Sequence, residues 1–80
     1  MAVELENYEA WAFKQKRKLL GLSVAELANH CKLSKVTIYN VENGKCIIPS
    51  TILLIGLVLD TLATDEQIEI FRLIEKGDII

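Results

Sequence analysis

The sequence predicts an all-α fold of five helices in a single domain of 80 residues, 1–80. Apolar residues recur three or four positions apart in several segments, as they do along one face of a helix. The segments SVAE (23–26) and TDEQ (64–67) are capping boxes, in which two side chains satisfy backbone amides where a helix begins. Glycines suited to the left-handed residue that follows a helix stand at Gly21, Gly44 and Gly77.

The first helix is predicted over residues 8–20, with Asn7 as its N-cap and Gly21 as its stop. Trp11 lies beside the inward face, where a contact with the core or with a second subunit is favoured over a ligand site. The residues that share the inward face are Ala10, Phe13, Arg17 and Leu20.

Residues 23–44 hold two short helices joined by a tight turn. The first follows Ser23 and is broken at Lys32, and the second is capped by Ser34 and stops at Gly44. The apolar residues that face the core are Leu27, Ala28 and Cys31 in the first helix and Ile38 and Val41 in the second. Two helices in this arrangement, with a polar outer side on the second, are typical of a helix-turn-helix.

Two further helices are predicted within residues 50–76. The fourth is introduced by Pro49 and ends at residue 62, and because it is apolar almost all round it must be covered on every side. Gly56 inside it favours a close helix crossing. The fifth follows the capping box 64–67 and runs to residue 76. Its two apolar stripes are Ile68, Phe71 and Ile74 on one side and Ile70 and Leu73 on the other.

An ordered set of residues between 13 and 62 resembles the Cro and phage-repressor-like family of helix-turn-helix transcriptional regulators. The matching residues are Arg17, Gly21-Leu22-Ser23, Glu26-Leu27-Ala28, Leu33-Ser34, Thr37-Ile38, Glu42-Asn43-Gly44 and Pro49-Ser50. The resemblance implies a five-helix lambda-repressor-like DNA-binding domain. It departs from the family at three points: Val24 replaces a Gln or Arg, Lys32 replaces a turn Gly, and the loop 46–48 is apolar.

The resemblance also implies residue roles on double-stranded DNA. The residues expected to contact bases are Lys35, Val36, Thr37 and Asn40, because the third helix enters the major groove with its N-terminal part. The residues expected to contact phosphates are Ser23, Val24, Tyr39, Asn43 and Lys45. Arg17 and Glu42 are expected to form an ion pair between the first helix and the end of the third, rather than being independent surface charges.

Charge is distributed unevenly along the chain, although the net charge is only −2. Residues 14–45 carry seven basic and two acidic side chains, whereas residues 1–13 carry three acids and residues 46–80 carry six acids against two bases. The positive block therefore coincides with the helix-turn-helix and the helix before it. Lys14, Lys16 and Lys18 belong to this block, and their alternative interpretation is a solvated helix face.

No pattern of chemistry-bearing residues points to an enzyme, a metal site or a cofactor. Cys31 and Cys46 have no metal-ligand spacing, and His30 has no nucleophile or carboxylate partner at a telling distance, so it is interpreted as a surface residue. Cys31 reads as a small buried hydrophobe, which fits a reducing cytoplasm. No run of 18 apolar residues exists to span a membrane.

The predicted function is a sequence-specific DNA-binding regulator, a repressor acting as a homodimer on a pseudo-palindromic operator. The alternative is a protein-interaction module on the same scaffold, such as an antitoxin or anti-repressor partner, favoured by the acidic pI and the apolar loop. An apolar content of 51% exceeds what so short a chain is expected to bury, which favours self-association.

The dimer interface is predicted in the C-terminal helices, at Ile70, Leu73, Ile55 and Leu59. This prediction assigns Leu54, Leu57 and Val58 of the fourth helix to the core, as the family resemblance implies, and leaves Ile52, Ile55 and Leu59 outside it. In the alternative arrangement Trp11 and the N-terminal segment make the contact and the fifth helix only covers its own chain.

Overall fold

The computed structural model describes residues 10–45 and 48–76, and within these ranges it contains five α-helices. They are α1 (Ala10–Leu19), α2 (Val24–Cys31), α3 (Lys35–Glu42), α4 (Pro49–Leu62) and α5 (Asp65–Lys76). The predicted all-α, five-helix fold is therefore confirmed. The predictions for Asn7, Gly77 and Cys46 lie outside the described residues.

The link between α1 and α2 is built as the sequence predicts. Gly21 adopts φ +74° and donates its amide to the Lys18 carbonyl at 3.0 Å, while the Leu22 amide donates to the Arg17 carbonyl at 3.1 Å. These bonds satisfy carbonyls that the end of α1 would otherwise leave open. Ser23 then caps α2, and the predicted capping box with Glu26 is complete.

The turn between α2 and α3 is closed by a lysine in the left-handed conformation. Lys32 has φ 58° and ψ 42° and is the C-cap of α2. Its amide donates to the Asn29 carbonyl at 3.2 Å, and the Leu33 amide donates to the Ala28 carbonyl at 2.9 Å. A residue with a Cβ is disfavoured in this conformation by ~1–2 kcal/mol, so the turn accepts local backbone strain.

The core lies where α1, α2 and α3 meet, with α4 packed on α1 and α2 and α5 packed on α1. The predicted inward residues of the helix-turn-helix are buried, and Leu27, Ile38 and Val41 have no solvent exposure. The remaining buried apolar side chains are Ala12, Ala28, Cys31, Ile52, Ile55, Leu59, Phe71 and Ile74.

The prediction for the two sides of α4 is wrong, because they are exchanged. Ile55 and Leu59 are 1% and 0% exposed and belong to the core, together with Ile52. Leu57, which was predicted to face inward, is 65% exposed, and Leu54 is 37% exposed. Positions 52, 55 and 59 form one helical stripe, and this stripe faces α1 and α2. Ile55 and Leu59 are therefore buried within one chain and offer no surface to a second subunit.

The middle lysine of α1 is also misplaced by the sequence interpretation, which put it on the charged outer face. The Lys16 side chain is only 9% exposed, and its Nζ lies 2.6 Å from Glu75 Oε2 on α5. The same nitrogen lies 5.8 Å from the ring centre of Phe13 and 5.2 Å from that of Phe71. The aliphatic stem is buried while the ammonium is held by a carboxylate and two ring faces, which ties α5 to α1.

The fifth helix begins at the second predicted capping box. The Gln67 amide donates to Thr64 Oγ1 at 3.2 Å, and the Thr64 amide donates to Gln67 Oε1 at 2.9 Å. Phe71 and Ile74 point into the core, whereas Leu73 is 40% exposed. No helix in the part of the chain that the structure describes is long and apolar enough to span a membrane.

Candidate nucleic-acid interface

The outer side of α3 is free of the core along its whole length. Ser34 caps the helix, accepting the Thr37 amide at 3.2 Å, and Ile38 and Val41 anchor the inner side with no solvent exposure. The outer side presents exposed side chains of mixed chemistry, namely Lys35, Val36, Tyr39 and Asn40. Val36 is 64% exposed and Tyr39 51%, so the helix displays donors, an aliphatic group and an aromatic hydroxyl together.

Thr37 is less available than the other predicted base-contacting residues. Its side chain is half-buried, and its hydroxyl lies 3.0 Å from Ser34 Oγ, where either atom is able to donate. Because the hydroxyl is engaged in the cap, the methyl group is the part of Thr37 better suited to an outside contact. Asn40 differs, since only its backbone carbonyl is used, by the Lys45 amide at 2.7 Å.

The beginning of α2 carries a negative charge that the sequence interpretation did not weigh. The Ser23 amide donates to Glu26 Oε1 at 2.8 Å, and this bond is the main reason why the pKa of Glu26 lies below its ordinary value of 4.5. A further hydrogen bond to Ser23 and the nearby His30 lower it as well. The carboxylate therefore stays ionised close to the place where a phosphate is expected.

Two donor groups nevertheless remain at this end of α2. Ser23 Oγ accepts the Glu26 amide at 3.0 Å, which leaves the hydroxyl proton of Ser23 able to donate outward. The Val24 side chain is half-buried against the core, so its own contribution to a phosphate contact is limited to the backbone amide of the first helical residue. The basic or amide side chain common at this place in the family is missing.

The end of α3 places two more predicted phosphate contacts beside each other. Asn43 is the exposed C-cap residue, and its amide donates to the Tyr39 carbonyl at 3.0 Å. Gly44 follows at φ +73° and turns the chain, so that the exposed Lys45 comes next to the last turn of the helix. A cation at a helix C-terminus is also favourable for the helix dipole.

Arg17 and Glu42 form the ion pair that was expected between α1 and α3. Arg17 Nε donates to Glu42 Oε2 at 2.7 Å and Nη2 donates to Oε1 at 3.1 Å, a two-pronged geometry. Both side chains are at most 10% exposed. Nη1 of Arg17 also donates to the Leu22 carbonyl at 2.9 Å, so one guanidinium fixes α1, the α1–α2 link and the end of α3.

The exposed charge around α3 is positive. Lys32, Lys35 and Lys45 are exposed near the two ends of the helix, while the carboxylate of Glu42 is buried against Arg17. Glu26 is the one exposed carboxylate described between residues 10 and 45. Across the described residues, no three His, Cys, Asp or Glu side chains lie close enough together to hold a metal ion. The surface suits an anionic partner.

Residues 13–63, more than half of the chain, match a family model described as helix-turn-helix. The match extends from α1 through α4 and stops at the connection to α5, so that the capped, lysine-tethered last helix lies beyond it. Comparisons with curated proteins and with solved structures gave no match.

Proposed function

Since the chain belongs to the Cro/C1-type helix-turn-helix family, which consists of DNA-binding transcription regulators and not of enzymes, we propose that it is a repressor. It acts as a homodimer on a pseudo-palindromic operator, with one α3 in the major groove of each half-site. The observation that carries the proposal is the exposed row on α3, which is held outward by Ile38 and Val41 at zero exposure.

The proposed base readout uses the first two turns of α3. Lys35 donates to guanine O6 and N7, and the Asn40 amide pairs with the N6 and N7 edge of adenine. Val36 and the Thr37 methyl group contact thymine methyls. The occupied hydroxyl of Thr37 supports this division of roles, because it leaves the methyl as the outward group.

The proposed phosphate contacts flank α3 on both sides. At the beginning of α2 they are the Ser23 hydroxyl and the Val24 amide, and at the end of α3 they are Asn43 and Lys45, with Tyr39 between them. These contacts set the register of α3 on the duplex without reading sequence. Repression then requires nothing more than occupancy, because a bound dimer excludes other proteins from the same cytoplasmic DNA site.

The proposal is tested by selecting bound sequences from a random DNA pool and measuring affinity for the selected site at several salt concentrations. We expect an enriched site with two related halves about one helical turn apart, roughly 34 Å. The logarithm of the affinity should fall linearly with the logarithm of the salt concentration, because lysines displace condensed cations from the phosphates. A pool that shows no enrichment would contradict the proposal.

A second candidate function is a protein-interaction module on the same scaffold. The specific observation that favours it is the ionised Glu26 at the beginning of α2, together with Val24 where the family commonly has a phosphate-binding side chain. A carboxylate there opposes a phosphate and suits a basic protein surface. Under this alternative, affinity for DNA would be weak at every sequence, and Glu26→Gln would strengthen it.

A further inference from the structure

The surface left over by this assignment is the outer side of α4. The outer face of α4, as defined here, is the row Ser50, Leu53, Leu54, Leu57 and Thr61, spaced three or four residues apart. All five residues are exposed, with Leu53 at 70% and Leu57 at 65%. Three neighbouring exposed leucines on one helix are an apolar patch that a monomer in water gains by covering.

The row is continuous in character as well as in position. The Thr61 hydroxyl donates to the Leu57 carbonyl at 2.8 Å, so its polar group is satisfied within the helix and its methyl side is presented outward. From Ser50 to Thr61 the row covers about 16 Å of helix. It contains no ionisable side chain, and Asp60 is the only one in α4, at the edge of the row.

The outer sides of the other helices differ from this row in carrying charge. The exposed charged or titratable residues are Lys14 and Lys18 on α1, Glu26 and His30 on α2, Lys35 on α3, and Glu66, Glu69 and Arg72 on α5. A two-fold interface brings each patch against itself, so equal charges near the axis repel. A patch without charge avoids this cost, and charged residues are depleted in the cores of known interfaces.

We infer that the outer face of α4 is the surface on which a second copy of this chain docks, with Leu53, Leu54 and Leu57 of the two copies packed together across a two-fold axis. The inference rests on the proposed function only in expecting a second copy. It replaces the predicted interface at Ile55, Leu59, Ile70 and Leu73. Leu73 is flanked on its helix by Glu69, Arg72 and Lys76, a poor setting for self-association.

The location is compatible with binding to DNA. The opposite side of α4 packs on α1 and α2, and the outer face of α4 therefore points away from the body that carries α3. Pairing through α4 leaves the exposed row of α3 uncovered in both copies. Each recognition helix then belongs to one half of a two-fold assembly, as a pseudo-palindromic site requires.

Sedimentation of the full chain without DNA tests the interface. The wild-type chain should sediment as a dimer at micromolar concentration, and Leu57→Glu and Leu53→Glu should each shift it to a monomer. The matched control is Leu73→Glu on α5, a partly exposed leucine of the same type, which should leave the dimer intact. Since Leu53 and Leu57 are mostly exposed in one chain, helical circular dichroism should be unchanged in these variants.

A positive signal keeps the test informative if a charged variant fails to fold. Leu57→Cys, in a chain with Cys46→Ser, should form a disulfide-linked dimer under mild oxidation, whereas Leu73→Cys in the same background should not. A wild-type chain that sediments as a monomer would overturn the inference, whichever surface then covers the leucines. A dimer that survives Leu57→Glu but is lost in Leu73→Glu would move the interface to α5.

DNA binding separates this inference from the proposed function. Leu57→Glu should lower affinity for the complete operator on the order of 100-fold, because the two half-sites are no longer bound as one unit, and should leave affinity for a single half-site unchanged. A dimer that requires Leu57 but shows no salt-dependent DNA affinity would refute the proposed function alone. A chain that binds the complete operator as a monomer would refute the α4 interface alone.

Discussion

At the scale of single residues, the contact between Arg17 and Glu42 carries the relation between α1 and α3. The two-pronged pair is almost fully buried, and a buried charge that loses its partner is left uncompensated. We expect Arg17→Met and Glu42→Leu each to lower the free energy of unfolding by on the order of 3 kcal/mol. The double variant should cost clearly less than the sum, as measured by urea denaturation in a double-mutant cycle. Additive losses would show that the two residues act independently.

This pair could be predicted from the sequence because its two members lie in a motif with a known spacing. The burial of Lys16 could not, since its neighbours Glu75 and Phe71 are about sixty positions away and on a helix outside the family match. A lysine between two other lysines has the pattern of a solvated face. Only the packing of α5 on α1 decides that this lysine points inward.

The left-handed lysine of the turn makes a second prediction at this scale. Lys32→Gly removes the clash of its Cβ at φ 58°, so we expect the free energy of unfolding to rise by about 0.5–1 kcal/mol in thermal or urea unfolding. The matched control is Gly44→Ala at φ +73°, which introduces the same clash and should be destabilising by about 1 kcal/mol. Loss of stability in Lys32→Gly would mean that the Lys32 side chain contributes more than its backbone strain costs.

At the scale of the helix, the capping box of α2 predicts a dependence on pH. The pKa of Glu26 is lowered in the folded chain, so its contribution to stability is present above its ordinary value of 4.5 and is lost as the pH falls through the folded value. Glu26→Gln retains an acceptor for the Ser23 amide but does not titrate. Its free energy of unfolding should therefore fall less than that of the wild type between neutral pH and pH values below 4.5. Parallel pH profiles of the two proteins would contradict the assignment.

The fourth helix shows where periodicity stops being informative. Helix boundaries could be predicted from caps and glycines, because those signals are local. The inward side of α4 could not, because Ile, Leu and Val occupy nearly every position and a helix apolar all round has no preferred stripe. The choice of Ile52, Ile55 and Leu59 is made by the shape of the surface offered by α1 and α2.

Gly56 in the same helix provides a direct test of how closely α4 approaches α1. A Cβ built at this position would lie 3.6 Å from Cε1 of Phe13, an ordinary van der Waals contact, so the crossing does not require glycine. We expect Gly56→Ala to raise the free energy of unfolding by about 0.5–1 kcal/mol, through helix propensity and reduced freedom of the unfolded chain. Destabilisation on thermal unfolding would indicate that α1 and α4 pack more tightly than this distance implies.

At the scale of the whole molecule, the fold separates three surfaces on three helices. The exposed row of α3 faces the proposed DNA, the uncharged outer face of α4 faces the proposed second copy, and α5 is a charged lid held by Lys16. The net charge of −2 conceals this separation, because acids in the last third of the chain offset the basic block. Partner choice therefore depends on where each charge lies rather than on the total.

The final prediction concerns sequence readout by the complete dimer. Asn40→Ala and Lys35→Ala should each lower affinity for the selected operator by about 1–3 kcal/mol and relax preference at one base pair in each half-site. Lys45→Ala should instead weaken binding to all sequences alike and reduce the salt slope, because it removes a phosphate contact and reads no base. Binding measured by fluorescence anisotropy on the selected site and on single-base variants distinguishes the two classes. The folded state is not at risk in these variants, since all three side chains are exposed and have no partner described in the ordered helices. If Asn40→Ala kept the full sequence preference, the exposed row of α3 would not be the surface that reads DNA.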